Sequence, residues 1–158
     1  IPHWPLRFSR GQITWAQNND QVEHPISYGG HALPIKEALL LGATHDRVEK
    51  GENPYALKSS DDEKNIALMA THLGIQAKPS EKPSRASIRV TSPDTLPVIG
   101  EIKGKMPTSP KHFILTGLGS RGFVFAPLLA EAVVSEYYGD PSPIDKAVWQ
   151  KFSAKRLF

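Results

Sequence analysis

"HFILTGLGSRGFVFAPLLAEAVV", residues 112–134, sets three glycines within six positions between a short apolar run and a long apolar stretch. Phe113 to Thr116 reads as a strand. Phe123 to Tyr138 reads as a helix, apolar on nearly every side and therefore expected between layers of the fold, with Gly139 ending it. The loop between them, Gly117, Leu118, Gly119, Ser120, Arg121 and Gly122, aims backbone N–H groups and a positive helix end at whatever lies ahead, which favours an anion or an electron-rich ring edge. A phosphate loop of the Walker kind needs Lys followed by Ser or Thr, which is missing here. Nor is the spacing read as the dinucleotide fingerprint that follows the first strand of a Rossmann unit. On the residues alone, a tight turn and a ligand loop both stay open. Pro127 leaves two helix starts: near Arg121, with a lost hydrogen bond to the Phe123 carbonyl, or at Pro127 itself, in the first position that proline favours.

Upstream, "RASIRVTSPDTLPVIG" at 85–100 predicts a strand over 86–90, a turn at Ser92-Pro93-Asp94, and a second strand from Leu96 to Ile102 closed by Lys103-Gly104-Lys105. Arg89 stands among Ile88, Val90 and Leu96, so one side of it is buried and its guanidinium needs an acceptor. Two acceptors fit: a substrate carboxylate held by two parallel hydrogen bonds, or Asp94 five residues on. Arg121 poses the same choice between a ligand and backbone carbonyls.

Further towards the N-terminus, Arg7 to Ala16 alternates, with Ile13 and Trp15 on one side and Gln12 and Thr14 on the other, the period of a half-buried strand. After a polar turn at Asn18-Asn19-Asp20, the runs 25–28 and 31–35 flank Gly29-Gly30 as a tight hairpin. Ala38 to Thr44 is a third apolar run, in which Gly42 marks a close backbone approach. Ser60-Asp61-Asp62-Glu63 has the pattern of a capping box. The helix it opens presents Ile66, Met69, Ala70 and Leu73 on one face, and Gly74 closes it. A polar connector, 78–83, leads into the Arg89 strand. Strands, a helix, more strands and a final helix make an α+β pattern.

The chain has 158 residues, 39% apolar and 22% charged, with no uninterrupted apolar stretch of membrane-spanning length and no cysteine. Disulfides and thiolate metal sites are therefore excluded, and a cytoplasmic location with no membrane partner is expected. The six histidines share no metal-ligating spacing, so no metal is expected. Ser120 lacks the spacing of a nucleophile elbow. The formal charge of +3 rests on two stretches. One holds Lys78, Lys82, Arg85, Arg89, Lys103, Lys105 and Lys111; the other holds Lys146, Lys151, Lys155 and Arg156. Both are open to a polyanion or to solvent alone. Ile1-Pro2-His3-Trp4-Pro5 reads as a cut inside a longer protein.

Taken together and in order, "RGQITW" (10–15), "YGGHALPI" (28–35), "LLLGATHDR" (39–47), "RASIRVTSPDTLPVIG" and "LTGLGSRGFVFAPLLAEAVVSEYYGDPSPI" (115–144) resemble one family. It is the C-terminal, FAD-dependent half of the bifunctional tRNA 5-methylaminomethyl-2-thiouridine biosynthesis proteins, within the D-amino-acid oxidase and glycine oxidase superfamily. The resemblance implies a mainly antiparallel substrate-domain sheet with a packed helix over 1–92, the C-terminal strand–loop–helix of a split FAD-binding domain over 93–144, and a basic tail over 145–158. It implies FAD, with Gly117 to Gly122 facing the flavin ring, Arg89 gripping a substrate carboxylate, and Arg121 near flavin and substrate. The family's first strand–glycine–helix unit, which holds the FAD pyrophosphate, is missing, so a fragment lacking that N-terminal unit is expected. The implied activity is oxidative removal of the carboxymethyl group from carboxymethylaminomethyl-(2-thio)uridine at the tRNA wobble position. Two alternatives remain: the same chemistry on a small amine such as glycine, sarcosine or a D-amino acid, and a non-catalytic binding module.

Overall fold

The computed structural model describes residues 4–19, 22–49, 51–102 and 111–157. Its elements are β1 (Arg7–Gln17), β2 (Ile26–Ser27), β3 (His31–Ile35), β4 (Ala38–Gly42), β5 (Asp46–Arg47), α1 (Ser59–Leu73), β6 (Arg85–Thr91), β7 (Val98–Ile102), β8 (His112–Thr116), α2 (Gly122–Tyr138) and α3 (Lys146–Phe152), then a 3-10 turn over Ala154–Leu157. This is the expected α+β pattern. The chain divides into two compact units, Ser9–Ile88 and a second made of Ile1–Phe8 with Arg89–Phe158. The predicted Lys103-Gly104-Lys105 closure, Asp20 of the first turn, and Ile1-Pro2-His3 lie outside the described residues.

In the first unit, β4 runs antiparallel between β3 and β1, β2 pairs with β3, and β5 and β6 also pair with β1. The hairpin forms as the sequence predicts: Ser27 stands opposite His31 across Tyr28-Gly29-Gly30, and Gly29 takes a positive φ of 98°. Gly42 is also where something comes close. A Cβ there would lie 3.2 Å from Ile13 Cγ2 and 3.4 Å from the Gln12 carbonyl oxygen. Ala16, Val22, Ala32, Leu39, Leu41 and Met69 form the core, with Ile66 and Leu73 of α1 packed against it. Each fully buried leucine contributes about 1.5–3 kcal/mol.

Two expectations fail here for one reason. The strand β1 buries its polar face rather than its apolar one: Gln12 and Thr14 are buried while Ile13 and Trp15 are only half-buried. The Ser60 capping box does not form either. The helix begins at Ser59, with Lys58 at the cap and no side-chain cap hydrogen bond. Tertiary partners do the work instead. Asp62 Oδ1 accepts from the Thr14 hydroxyl at 2.6 Å, Gln12 Nε2 at 2.9 Å and the Ser84 hydroxyl at 2.7 Å. Asn65 Nδ2 donates to the Gln12 carbonyl at 3.0 Å and to Thr14 Oγ1 at 2.9 Å, and Arg10 pairs with Asp61. Buried polar groups persist only when hydrogen-bonded, and these join strand to helix through such bonds. Burial alone would raise the Asp62 pKa, but the hydroxyl and amide donors outweigh it and hold the carboxyl below its ordinary value. Gly74 closes α1 in the left-handed conformation, as expected.

In the second unit, β7 and β8 form an antiparallel pair on which α2 and the C-terminal 3-10 turn pack. Helix α2 starts at Gly122, so Pro127 lies inside it. It is not buried all round. Leu129, Ala132 and Ser135 are buried, whereas Phe123, Val124 and Tyr138 stand in the open, because the two-stranded sheet reaches only one side of the helix. The C-terminal stretch is tied down rather than a free tail. Arg156 holds both carboxylate oxygens of Asp94, through Nε at 2.8 Å and Nη2 at 3.1 Å, and also donates to the Leu96 carbonyl at 2.9 Å. That guanidinium is therefore committed to the protein, and the basic excess of the tail is smaller than the sequence implied.

Candidate functional site

The predicted site residues fall within the second unit, on the end of β6, the turn after it, and the loop between β8 and α2. Gly117 and Gly119 adopt positive φ of 71° and 55°. A Cβ on Gly117 would come within 3.2 Å of Val98 Cγ2, and one on Gly119 within 3.0 Å of Thr91 Cγ2. Both positions therefore need glycine for conformation and for space. The Gly119 N–H donates to the Val90 carbonyl at 3.0 Å, and Leu118 bridges to Thr91, so the loop is stitched to the end of β6. Side chains alternate along a strand, so Arg89 occupies the same face as Thr91, the face turned to Gly119. The structure thus brings Arg89 and the glycine loop to one place.

Gly122 differs from its two neighbours. It is helical, and the nearest atom to a Cβ there is Leu118 Cβ at 4.0 Å, so nothing among the described residues demands glycine at that position. The start of α2 has no side-chain cap and no acidic residue in its first turn. Of its opening N–H groups, that of Arg121 already donates to the Leu118 carbonyl at 3.0 Å and that of Val124 to the Arg121 carbonyl at 3.1 Å, which leaves those of Gly122 and Phe123 to open α2, and its positive end is left unneutralised by its own sequence. Contrary to the sequence reading of the spacing, Gly117, Gly119 and Gly122 do stand as G-x-G-x-x-G. Its setting is different: the strand before it, β8, is antiparallel to β7, whereas the fingerprint that holds a pyrophosphate sits in a parallel strand–helix–strand crossover.

Arg121 is held back on the protein. Its Nη2 donates to the Thr95 carbonyl, and its guanidinium lies 5.3 Å from the Phe125 ring centroid. Thr95 was not picked out in the sequence. It adopts a φ of 61°, rare for a β-branched residue, and the turn around it fixes that geometry: the Ser92 hydroxyl bonds Asp94 Oδ1 at 2.7 Å and the Leu96 carbonyl at 2.6 Å. Hydrogen bonds from Arg156 are the main reason the Asp94 carboxyl sits well below its usual range. Asp94, the protein's own candidate acceptor for Arg89, thus has both oxygens engaged by Arg156. Burial pulls the Arg89 guanidinium below its ordinary pKa, the mark of a cation partly stripped of water. Among the described residues no cluster of metal-ligating side chains forms. Among the same residues, no helix is long and apolar enough to cross a membrane.

The model of a family described as FAD dependent oxidoreductase matches residues 2–136. The tRNA 5-methylaminomethyl-2-thiouridine biosynthesis bifunctional protein MnmC of Caulobacter sp. (strain K31) is 38% identical over 148 residues, which cover 92% of this chain and 24% of that protein. The protein of the same name from Thiobacillus denitrificans (strain ATCC 25259 / T1) is 30% identical over 162 residues, covering 98% of this chain and 26% of that protein. The chain thus spans about a quarter of the length of the curated relatives it matches. Among solved structures, glycine oxidase from Geobacillus kaustophilus superposes with a TM-score of 0.78 at 19% identity, over 98% of this chain and 40% of that one. Iminodiacetate oxidase from Chelativorans sp. BNC1 superposes with a TM-score of 0.71 at 15% identity, over 96% and 40%. These two likenesses are of fold. The resemblance read from the sequence is borne out by the family match and the curated relatives.

Proposed function

This chain belongs to the FAD dependent oxidoreductase family, and on that premise we propose that it contributes the substrate-gripping and flavin-facing parts of an enzyme that oxidises a C–N bond. The proposed substrate is the carboxymethylaminomethyl group of a tRNA wobble uridine, whose carboxymethyl portion is removed. In this reading Ser9–Ile88 is the substrate domain and the second unit is the C-terminal part of the FAD domain. The observation that carries it is the stitching of the Arg89-bearing strand to a glycine loop at an uncapped helix start.

The residues fit the cofactor by one local test. Gly122 keeps open a space that none of the described residues fills, as a planar ring approaching the backbone would require. Bound FAD would accept a hydride equivalent from the substrate carbon between nitrogen and carboxylate, and addition of water to the resulting imine would break the C–N bond and release the carboxymethyl portion as glyoxylate. The amides opening α2 would stabilise negative charge on the ring edge set against them. Arg89 would hold the substrate carboxylate and so fix which carbon faces the ring. Arg121, kept in place by Thr95 and Phe125, would bound the site without having to move. Alignment of this kind is most of what hydride transfer asks of a protein.

The space at Gly122 gives a sharp expectation. Gly122→Ala should leave thermal stability unchanged or raise it, since alanine is the better helix residue by about 1 kcal/mol. The same change should lower the flavin retained by the full-length protein after desalting, read from its visible absorbance. Undiminished flavin retention would remove the loop from the ring-facing role. The reaction itself is tested by mixing the full-length protein anaerobically with tRNA bearing the carboxymethylaminomethyl group and following loss of the flavin absorbance. Bleaching by that tRNA supports the proposal; bleaching by glycine or sarcosine alone would replace the substrate, and bleaching by neither would overturn the activity.

A further inference from the structure

We propose that Trp15 is a stacking platform for an unstacked base of single-stranded RNA, with Lys82 covering it at rest and Lys78, Lys82 and Arg85 taking the neighbouring phosphates. The inference rests on the tRNA reading above and assigns that substrate a docking surface. Because Gln12 and Thr14 turn towards α1, the alternation of β1 turns Ile13 and Trp15 to the opposite face of the sheet. Leu40 stands opposite Trp15 in the register, and Leu33 opposite Leu40, both half-buried, so the indole lies in apolar surroundings on a face that α1 does not cover. Lys82 Nζ is 4.6 Å from the Trp15 ring centroid.

The connector carrying Lys82 is held in place. The Gln17 N–H donates to the Lys78 carbonyl at 2.9 Å, the Ser80 N–H donates to the Trp15 carbonyl at 2.9 Å, and Pro79 bridges to Ala16. The stretch that sequence composition marks as a linker is thus an ordered strip along β1. Over 78–85 it sets three exposed cations, Lys78, Lys82 and Arg85, against one acid, Glu81. An electron-rich ring beside clustered cations is the combination that single-stranded nucleic acid recognises: a base takes the ring and the phosphates take the ammonium groups. Lys82 over the indole marks where the base would sit. A base stack outweighs an exposed cation–π contact, and the displaced ammonium needs to travel only as far as that nucleotide's phosphate.

The test is a titration of the full-length protein with a synthetic anticodon stem-loop RNA, followed by tryptophan fluorescence at several salt concentrations. Quenching that disappears in Trp15→Leu, with affinity lower by about tenfold, is expected. Lys82→Gln should reduce the log–log salt slope by about 0.7. If Trp15→Leu does not fold, the slope of Lys82→Gln, a change to an exposed side chain, decides alone. RNA bound by both variants with unchanged affinity and slope overturns the platform and leaves the tRNA reading standing, whereas no binding by the unaltered protein overturns both. Equal binding of polyglutamate would show that charge alone acts and would also overturn the stacking role.

Discussion

Alanine in place of Arg89 is expected to lower kcat/KM of the full-length protein for a carboxylate-bearing amine by about two to three orders of magnitude, with the flavin still bound. The magnitude follows from the position. Arg89 is half-buried near the end of β6, and burial has already pulled its guanidinium below the ordinary value, so part of the cost of removing water from the charge is met by the fold. A carboxylate arriving there gains two charge-assisted hydrogen bonds without much further dehydration of the cation. Alanine takes both of those hydrogen bonds away from the carboxylate. Lysine keeps the charge and loses the planar fork, so Arg89→Lys should recover only part of the activity. A substrate analogue without the carboxylate separates gripping from a general loss of structure: it should react slowly with the unaltered protein and be no slower with Arg89→Ala. Visible absorbance after desalting reports whether the flavin stays. Normal turnover by Arg89→Ala would refute the carboxylate role outright.

What the sequence could and could not tell follows from where each interaction is made. The hairpin at Gly29-Gly30, the left-handed ends at Gly74 and Gly139, the strand around Arg89 and the glycine loop were legible, because each depends on a residue's own backbone preferences or on period. The cap of α1 is not legible in this way. Ser60 and Glu63 have the capping pattern, yet β1 supplies closer partners for this end of the helix, among them Gln12, whose Oε1 accepts from the Lys58 N–H at 3.0 Å. A partner 46 residues away leaves no local trace. The burial of α2 failed in the opposite direction: apolar composition says what a helix tolerates against it, whereas Phe123 and Val124 are exposed because no element among the described residues covers them. At the site, Arg89 was legible from its place among Ile88, Val90 and Leu96, and Arg121 from its place in the glycine loop. The anchor of Arg121 on Thr95 depends on a positive φ that sequence gives no reason to expect at a threonine.

The largest effect on stability is expected at Arg10, in the "RGQITW" stretch that helps to carry the family resemblance. Arg10 and Asp61 are 2% and 1% exposed and form an ion pair. Arg10 also donates to Gln12 Oε1 at 2.8 Å and to the Ala56 carbonyl at 2.5 Å, so one guanidinium fastens β1, the loop before α1 and α1 itself. Arg10→Met should cost about 3–5 kcal/mol, mostly from leaving the Asp61 carboxylate buried without its countercharge. Lys64, 3.3 Å from Asp61 Oδ1 but largely exposed, can offset part of that, which favours the lower end. Urea denaturation of the full-length protein should show this as a lower midpoint for the transition that includes Ser9–Ile88, at unchanged slope. Replacing both charges, Arg10→Met with Asp61→Leu, should recover most of the loss, since the pair must offset its own desolvation and Arg10 Nε is already buried without a partner among the described residues. A single Arg10→Met within about 1 kcal/mol of the unaltered protein would mean that water reaches Asp61 readily. The join between β1 and α1 would then rest on Asp62, Asn65 and the bonds between Gln12 and Lys58, and the arginine of the motif would need a reason outside stability.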